Sequence, residues 1–119
     1  MLPHAAFLIG LGLLINVADL VPRYDVTTTC RKALALAGGG PGGRSIENCM
    51  AGEEAERKDL DKQWAKLPTG ERTQCIGTVA VGGSPSYVEL LICLEMMRDS
   101  RTHLQEEETK AKQSSSRNR

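Results

Sequence analysis

Four cysteines, Cys30, Cys49, Cys75 and Cys93, spread through the middle of a 119-residue chain, constrain its fold more than any other feature. No two are close enough for C-x-x-C redox or zinc-ribbon chemistry. Beyond the N-terminal apolar segment only His103 could join them, so a zinc site would need cysteines from four distant places. An even number of widely spaced cysteines in a short chain reads instead as a disulfide framework, with four buried free thiols as the alternative. The chain needs such staples. Aromatic residues make up only 3%, and the single Phe, Phe7, lies in the apolar segment, which leaves Trp64, Tyr24 and Tyr87 as the large rings. A core built from aliphatics and one Trp between Cys30 and Leu104 is marginal without covalent help.

One domain is the only sensible count at this length. The 15 basic and 15 acidic side chains balance, so no net charge steers the chain toward nucleic acid or an anionic membrane. Residues 1–18 read as a signal peptide or N-terminal anchor. The clean apolar run, Ala5 to Ile15, has the length of a signal h-region and is short of the ~20 residues that span a bilayer. "MLPH" before it carries no Lys or Arg, and Asn16 spoils cleavage after Ala18. A cleaved leader, an uncleaved inner-membrane anchor and a buried helix of a cytosolic protein are therefore all open, in that order of preference.

Residues 19–29 read as a linker. Thr27 to Thr29 can cap a short helix from Cys30 to Ala37, which Gly38 to Gly43 then stop. Ser45 opens the longest helix, running to Leu67 before Pro68. Along it Ile46, Met50, Glu53, Arg57, Leu60, Trp64 and Leu67 form a stripe, with charges on the other faces. Thr69 starts a shorter helix expected to run through Cys75 and end irregularly. "GGSPS" is a break, and Ser86 with Glu89 fits the capping box S-x-x-E. The final helix should bury Tyr87, Leu90, Leu91, Leu94, Met97 and Arg101. Residues 105–119 contain one Ala and no larger apolar residue, so they should fray into a disordered polar tail. The expected fold class is all-α: a bundle of three to four helices over 30–104 cross-linked by two disulfides. Its core comprises Ile46, Met50, Leu60, Trp64, Leu67, Tyr87, Leu91 and Leu94.

Antiparallel successive helices put Cys30 and Cys49 about 7–11 Å from the Gly-rich turn, at 1.5 Å rise per residue, and give Cys75 and Cys93 similar reach around "GGSPS". This favours Cys30–Cys49 and Cys75–Cys93. A non-helical path after Pro68 would make the nested pairing, Cys49–Cys75 with Cys30–Cys93, equally good.

Gly38 to Ser45 reads G-x-x-x-x-G-R-S, close to a phosphate-binding P-loop, with Arg44 where a lysine belongs. Such a loop must follow a buried strand and needs a downstream Asp to position magnesium. Here it follows a helix and has no such Asp, so it reads as a hinge; a phosphate-binding enzyme using this loop is the weakest reading. The acidic residues from Glu53 to Asp61 are interleaved with Arg57, Lys58 and Lys62, the pattern of a solvated face. Glu53 and Arg57, four apart in the favourable order for an ion pair, are the candidate partner-binding residues. Their plain reading is a surface pair. No catalytic residue, metal site or cofactor is called for.

"SIENCMAGEEAERKDLDKQWAKLPTGERTQC" followed by "GGSPSYVELLICLEMMRD" is similar to small exported four-cysteine helical proteins of rhizobia-like alphaproteobacteria. The resemblance covers Cys30 to Asp99 and implies a helical fold with four cysteines. From Cys49 to Trp64 the chain more distantly resembles the LprI-type lysozyme-inhibitor family, with Trp64 replacing the tyrosine-containing end of that pattern. That likeness implies an inhibitor-like binding role. The expectation is thus a non-enzymatic, periplasmic or secreted module that binds another envelope protein of unknown identity, with no nucleic acid. Membrane contact follows only if the leader stays uncleaved, as in a membrane-anchored structural or envelope-stress protein.

Overall fold

The computed structural model describes residues 19–36 and 45–119. Both the leader reading and most of the Gly-rich loop lie outside these residues. The described chain is all helical: α1 (Val26–Leu36), α2 (Ile46–Gln63) running into a 3₁₀ turn (Trp64–Lys66), α3 (Thr69–Ala80) and α4 (Tyr87–Arg117). No described helix is long and apolar enough to cross a membrane.

Local chemistry sets most boundaries. Asp25, not the threonines, caps α1: its carboxylate accepts from the Thr28 N–H at 3.3 Å and the Thr28 hydroxyl at 2.7 Å. These bonds hold the Asp25 carboxyl below the usual carboxylate range. An Asx cap offers a charged acceptor to orphan N–H groups, which a hydroxyl does less well. Ser45 caps α2 as expected, accepting from the Asn48 N–H at 3.2 Å. The α-helix stops at Gln63 rather than Leu67. Pro68 disfavours helical geometry in the residue before it, and the chain tightens into the 3₁₀ turn. Conversely α3 runs past Cys75 to Ala80. Burial of Cys75 and Val79 outweighs the roughly 1 kcal/mol cost of Gly77 in a helix interior. In the following turn Gly83 has φ of 73°, a left-handed conformation that favours glycine.

α4 packs against both α2 and α3, while α1 packs on α2. The core joins Leu60 and Trp64 from α2 and its 3₁₀ turn, Cys75 and Val79 from α3, and Tyr87, Leu90 and Leu94 from α4. Disulfides close both helical hairpins: Cys30–Cys49, with Cα atoms 5.8 Å apart, and Cys75–Cys93, at 5.7 Å. The pairing between neighbours in the chain is thus the one formed. Two structural disulfides suit an oxidising compartment.

Two expected segment boundaries change. The stretch read as a linker instead packs Val21, Tyr24 and Val26 against the core. The Tyr87 hydroxyl explains this: it donates to the Pro22 carbonyl and accepts from the Tyr24 N–H, both at 2.9 Å. The tail expected to be disordered continues α4 to Arg117. Every described residue after Arg101 is exposed, so tertiary packing does not hold it. Helix formers do, together with the Glu106/Lys110 and Glu108/Lys112 spacings in the favourable order.

Candidate functional site

Glu53 sits in the apolar stripe of α2 and is only 5% exposed. The expected pair with Arg57 is not formed. Glu53 instead accepts from the Ser86 hydroxyl at 2.5 Å and from the Tyr87 N–H at 2.6 Å. Ser86 Oγ in turn accepts from the Glu89 N–H at 3.3 Å, as the capping spacing requires. A carboxylate from α2 therefore completes the N-terminal cap of α4. The arrangement has a clear physical cause: the first N–H groups of a helix have no intrahelical acceptor, and the positive end of its dipole favours a nearby anion. This is a joint between two helices, with both carboxylate oxygens occupied.

Arg57, one turn further along, faces outward. Its guanidinium bonds Glu54 at 2.6 Å and Asp61 at 2.7 Å. The Arg57 hydrogen bonds hold the Glu54 carboxyl below its ordinary range. This trio borders a cavity of about 420 Å³ whose wall includes Val21, Arg23, Tyr24 and Tyr87. The Tyr24 and Tyr87 rings lie 4.9 Å apart there. Burial, reinforced by the neighbouring Tyr87, raises the Tyr24 hydroxyl to about 12. Arg57 is already matched by two carboxylates, so its own guanidinium is not free for an anion; Arg23, exposed on the same wall, is the cavity's other guanidinium.

On the opposite side of α4 a different surface opens. α3 supplies Gln74, Thr78 and Val79 to a groove of about 490 Å³, and α4 supplies Ile92, Cys93, Met96 and Met97 among others. Ile92 is 49% exposed and Met96 65%, large apolar side chains left uncovered beside a closed core. Along α4 the lining residues Glu89, Ile92, Cys93, Met96 and Ser100 follow helical spacing over three turns, about 16 Å of rise. Such a concave, mainly apolar strip can take one face of another helix.

The structure divides the sequence-derived core. Leu60, Trp64, Tyr87 and Leu94 are buried, whereas Ile46, Met50, Leu67 and Leu91 are half-buried. Met50 accepts a weak bond from the Thr27 hydroxyl at 3.8 Å. Arg101, expected on the buried face, is only half-buried; its Nε donates to Glu71 at 2.8 Å. Sequence reasoning missed buried Arg72, whose guanidinium lies 5.6 Å from the Trp64 ring centre and donates to Thr69 at 2.9 Å. It also missed the groove. The signal was present: Ile92 and Met96 are large apolar residues off the buried stripe of α4. Among the described residues no group of three or more His, Cys, Asp or Glu could hold a metal ion.

Comparison with protein-family models, with curated proteins and with solved structures finds no match to this chain.

Proposed function

We propose that this chain is a non-enzymatic, exported protein-binding module that acts in the periplasm or outside the cell, and that its binding surface is the α3–α4 groove. The observation that carries the reading is the exposure of Ile92 and Met96 over a groove whose walls are fastened by Cys75–Cys93. An apolar surface of this kind on a small domain is a liability unless a partner covers it. The stapled hairpins and the apolar run Ala5 to Ile15 support export. The residues first singled out for binding play another part here: Glu53 is committed to the α4 cap, and Arg57 to Glu54 and Asp61. The distant lysozyme-inhibitor likeness fits a binding role, and a purified sample that leaves lysozyme fully active at high excess would remove that version.

The test combines compartment and contact. A photo-crosslinking residue is placed at position 96 in one strain and at exposed position 58 in another. A discrete adduct with an envelope protein from position 96, and none from position 58, is the expected result. Equal labelling from both positions, or none from either, would overturn the reading. Recovery of the chain in the membrane fraction with residues 1–18 intact would instead favour the anchored alternative.

A further inference from the structure

Resting on that reading, we infer that the α3–α4 groove is built for a cationic amphipathic helix: a partner segment with large aliphatic residues on one face and Lys or Arg beside them. The apolar part follows from the lining. Ile92 and Met96 lie one turn apart on α4, with half-buried Cys93 and Met97 deeper and Val79 on the α3 wall. Methionine is unbranched and polarizable, so Met96 and Met97 can adapt to aliphatic side chains of various shapes.

The charge of the occupant follows from the residues around those two. On a helix surface the neighbours of a side chain are three and four positions away. For Ile92 these are Val88, Glu89, Glu95 and Met96; for Met96 they are Ile92, Cys93, Asp99 and Ser100. Every charged neighbour is acidic, and Glu89, Glu95 and Asp99 are all exposed. None of the three makes an ion pair among the described residues, where the pairs are confined to Arg57 with Glu54 and Asp61, Lys62 with Asp59, and Arg101 with Glu71. Arg98, the nearest base on α4, is two residues from Met96 and so turned roughly 200° around the helix; it lies three residues from Glu95 but makes no ion pair with it. The α3 wall contributes Gln74 and Thr78 and no charge. An apolar strip edged by unpaired carboxylates disfavours acidic segments and attracts basic ones, which gives both approach rate and specificity.

The same pattern argues against other occupants. A second copy docking α4 on α4 around Met96 would set like carboxylates against each other. The basic end of this chain, Lys110 to Arg119, has the charge but only Ala111 as an apolar anchor. An anionic bilayer would be repelled by the acidic edge.

The experiment uses the full, disulfide-intact chain and a fluorescein-labelled peptide of about 18 residues with Leu at i, i+3, i+4 and i+7 and Lys elsewhere. A control peptide carries Glu in place of Lys. Fluorescence anisotropy should show saturable binding of the Lys peptide and at least about tenfold weaker binding of the Glu peptide. Met96→Asn with Ile92→Asn should weaken the Lys peptide by about tenfold or more. The combination Glu89→Gln, Glu95→Gln, Asp99→Asn should weaken it at low salt and flatten its salt dependence. All substituted positions are surface sites, and an unchanged melting temperature confirms that each variant is folded. Equal binding of both peptides, full binding by the Asn variant, or tighter binding to anionic vesicles than to the peptide would overturn the inference. A position-96 adduct in cells combined with no Lys-peptide binding would refute the charge assignment alone and leave the binding module standing.

Discussion

The two sides of α4 are finished in opposite ways. Toward α2, a buried carboxylate meets two donors at the start of the helix, while Leu60 and Trp64 close over Leu90 and Leu94. Toward α3, a disulfide ties the helices together, yet Ile92 and Met96 remain in solvent beside acids that make no ion pair among the described residues. The first side turns the cap donors and its apolar side chains inward. The second keeps apolar area and charge in reserve. Architecture and binding are therefore separable on a single helix, and substitutions on the two sides should fail in different assays.

The largest effect should come from removing the staples. Each disulfide closes a loop between cysteines 19 and 18 residues apart, worth about 3 kcal/mol on the loop-entropy model. Reduction with alkylation should cost about 6 kcal/mol in total and abolish cooperative unfolding by circular dichroism, since so small a core holds little margin. Next, Glu53→Ala leaves the Ser86 O–H donor and the Tyr87 N–H without an acceptor in a buried place and should cost about 3 kcal/mol in urea unfolding. Peptide binding to the fraction still folded should be unchanged.

A smaller effect concerns the segment strapped across Tyr87. The Tyr24 hydroxyl titrates at about 12 in the fold against 10.0 unperturbed. A raised folded value means its contribution is complete below pH 10 and disappears as pH rises through about 12. Absorbance at 295 nm in the Tyr87→Phe variant should show the remaining tyrosine ionising nearer 10, because its N–H partner and strap are gone. Arg57→Ala removes a solvent-screened surface trio and should leave the urea midpoint nearly unchanged. Met96→Asn should shift stability by no more than about 0.5 kcal/mol while weakening the Lys peptide.

Legibility in the sequence follows the same division. Features governed by local chemistry could be read directly: the Ser45 and Ser86 caps, the "GGSPS" break, the buried stripe of α4. For the disulfides the sequence favours the observed pairing but leaves the nested one open; the direct start of α3 at Thr69 gives the helical path after Pro68 on which the favoured pairing depends. What escaped depends on contacts distant in the chain. Glu53 looked four residues from its partner when its partners were Ser86 and Tyr87, and no i, i+4 rule reports a pairing across 33 positions. Tyr24 seemed part of a linker because its anchor is the hydroxyl of Tyr87, 63 residues away. The tail looked disordered for lack of apolar residues, although helix formers and charge spacing extend α4 without a core. The groove was half legible: Ile92 and Met96 stand off the buried stripe of α4, but the α3 wall that makes them a groove comes from a second helix.

Amide hydrogen exchange on the intact chain, with and without the Lys peptide, tests the central claim most directly, because it reads both sides of α4 at once. The account predicts slower exchange on peptide addition in segments 74–79 and 89–100, with the Tyr87 amide already slow and unchanged. Protection appearing around Tyr24, Arg57 and Tyr87 instead, with none along Ile92 to Ser100, would contradict it.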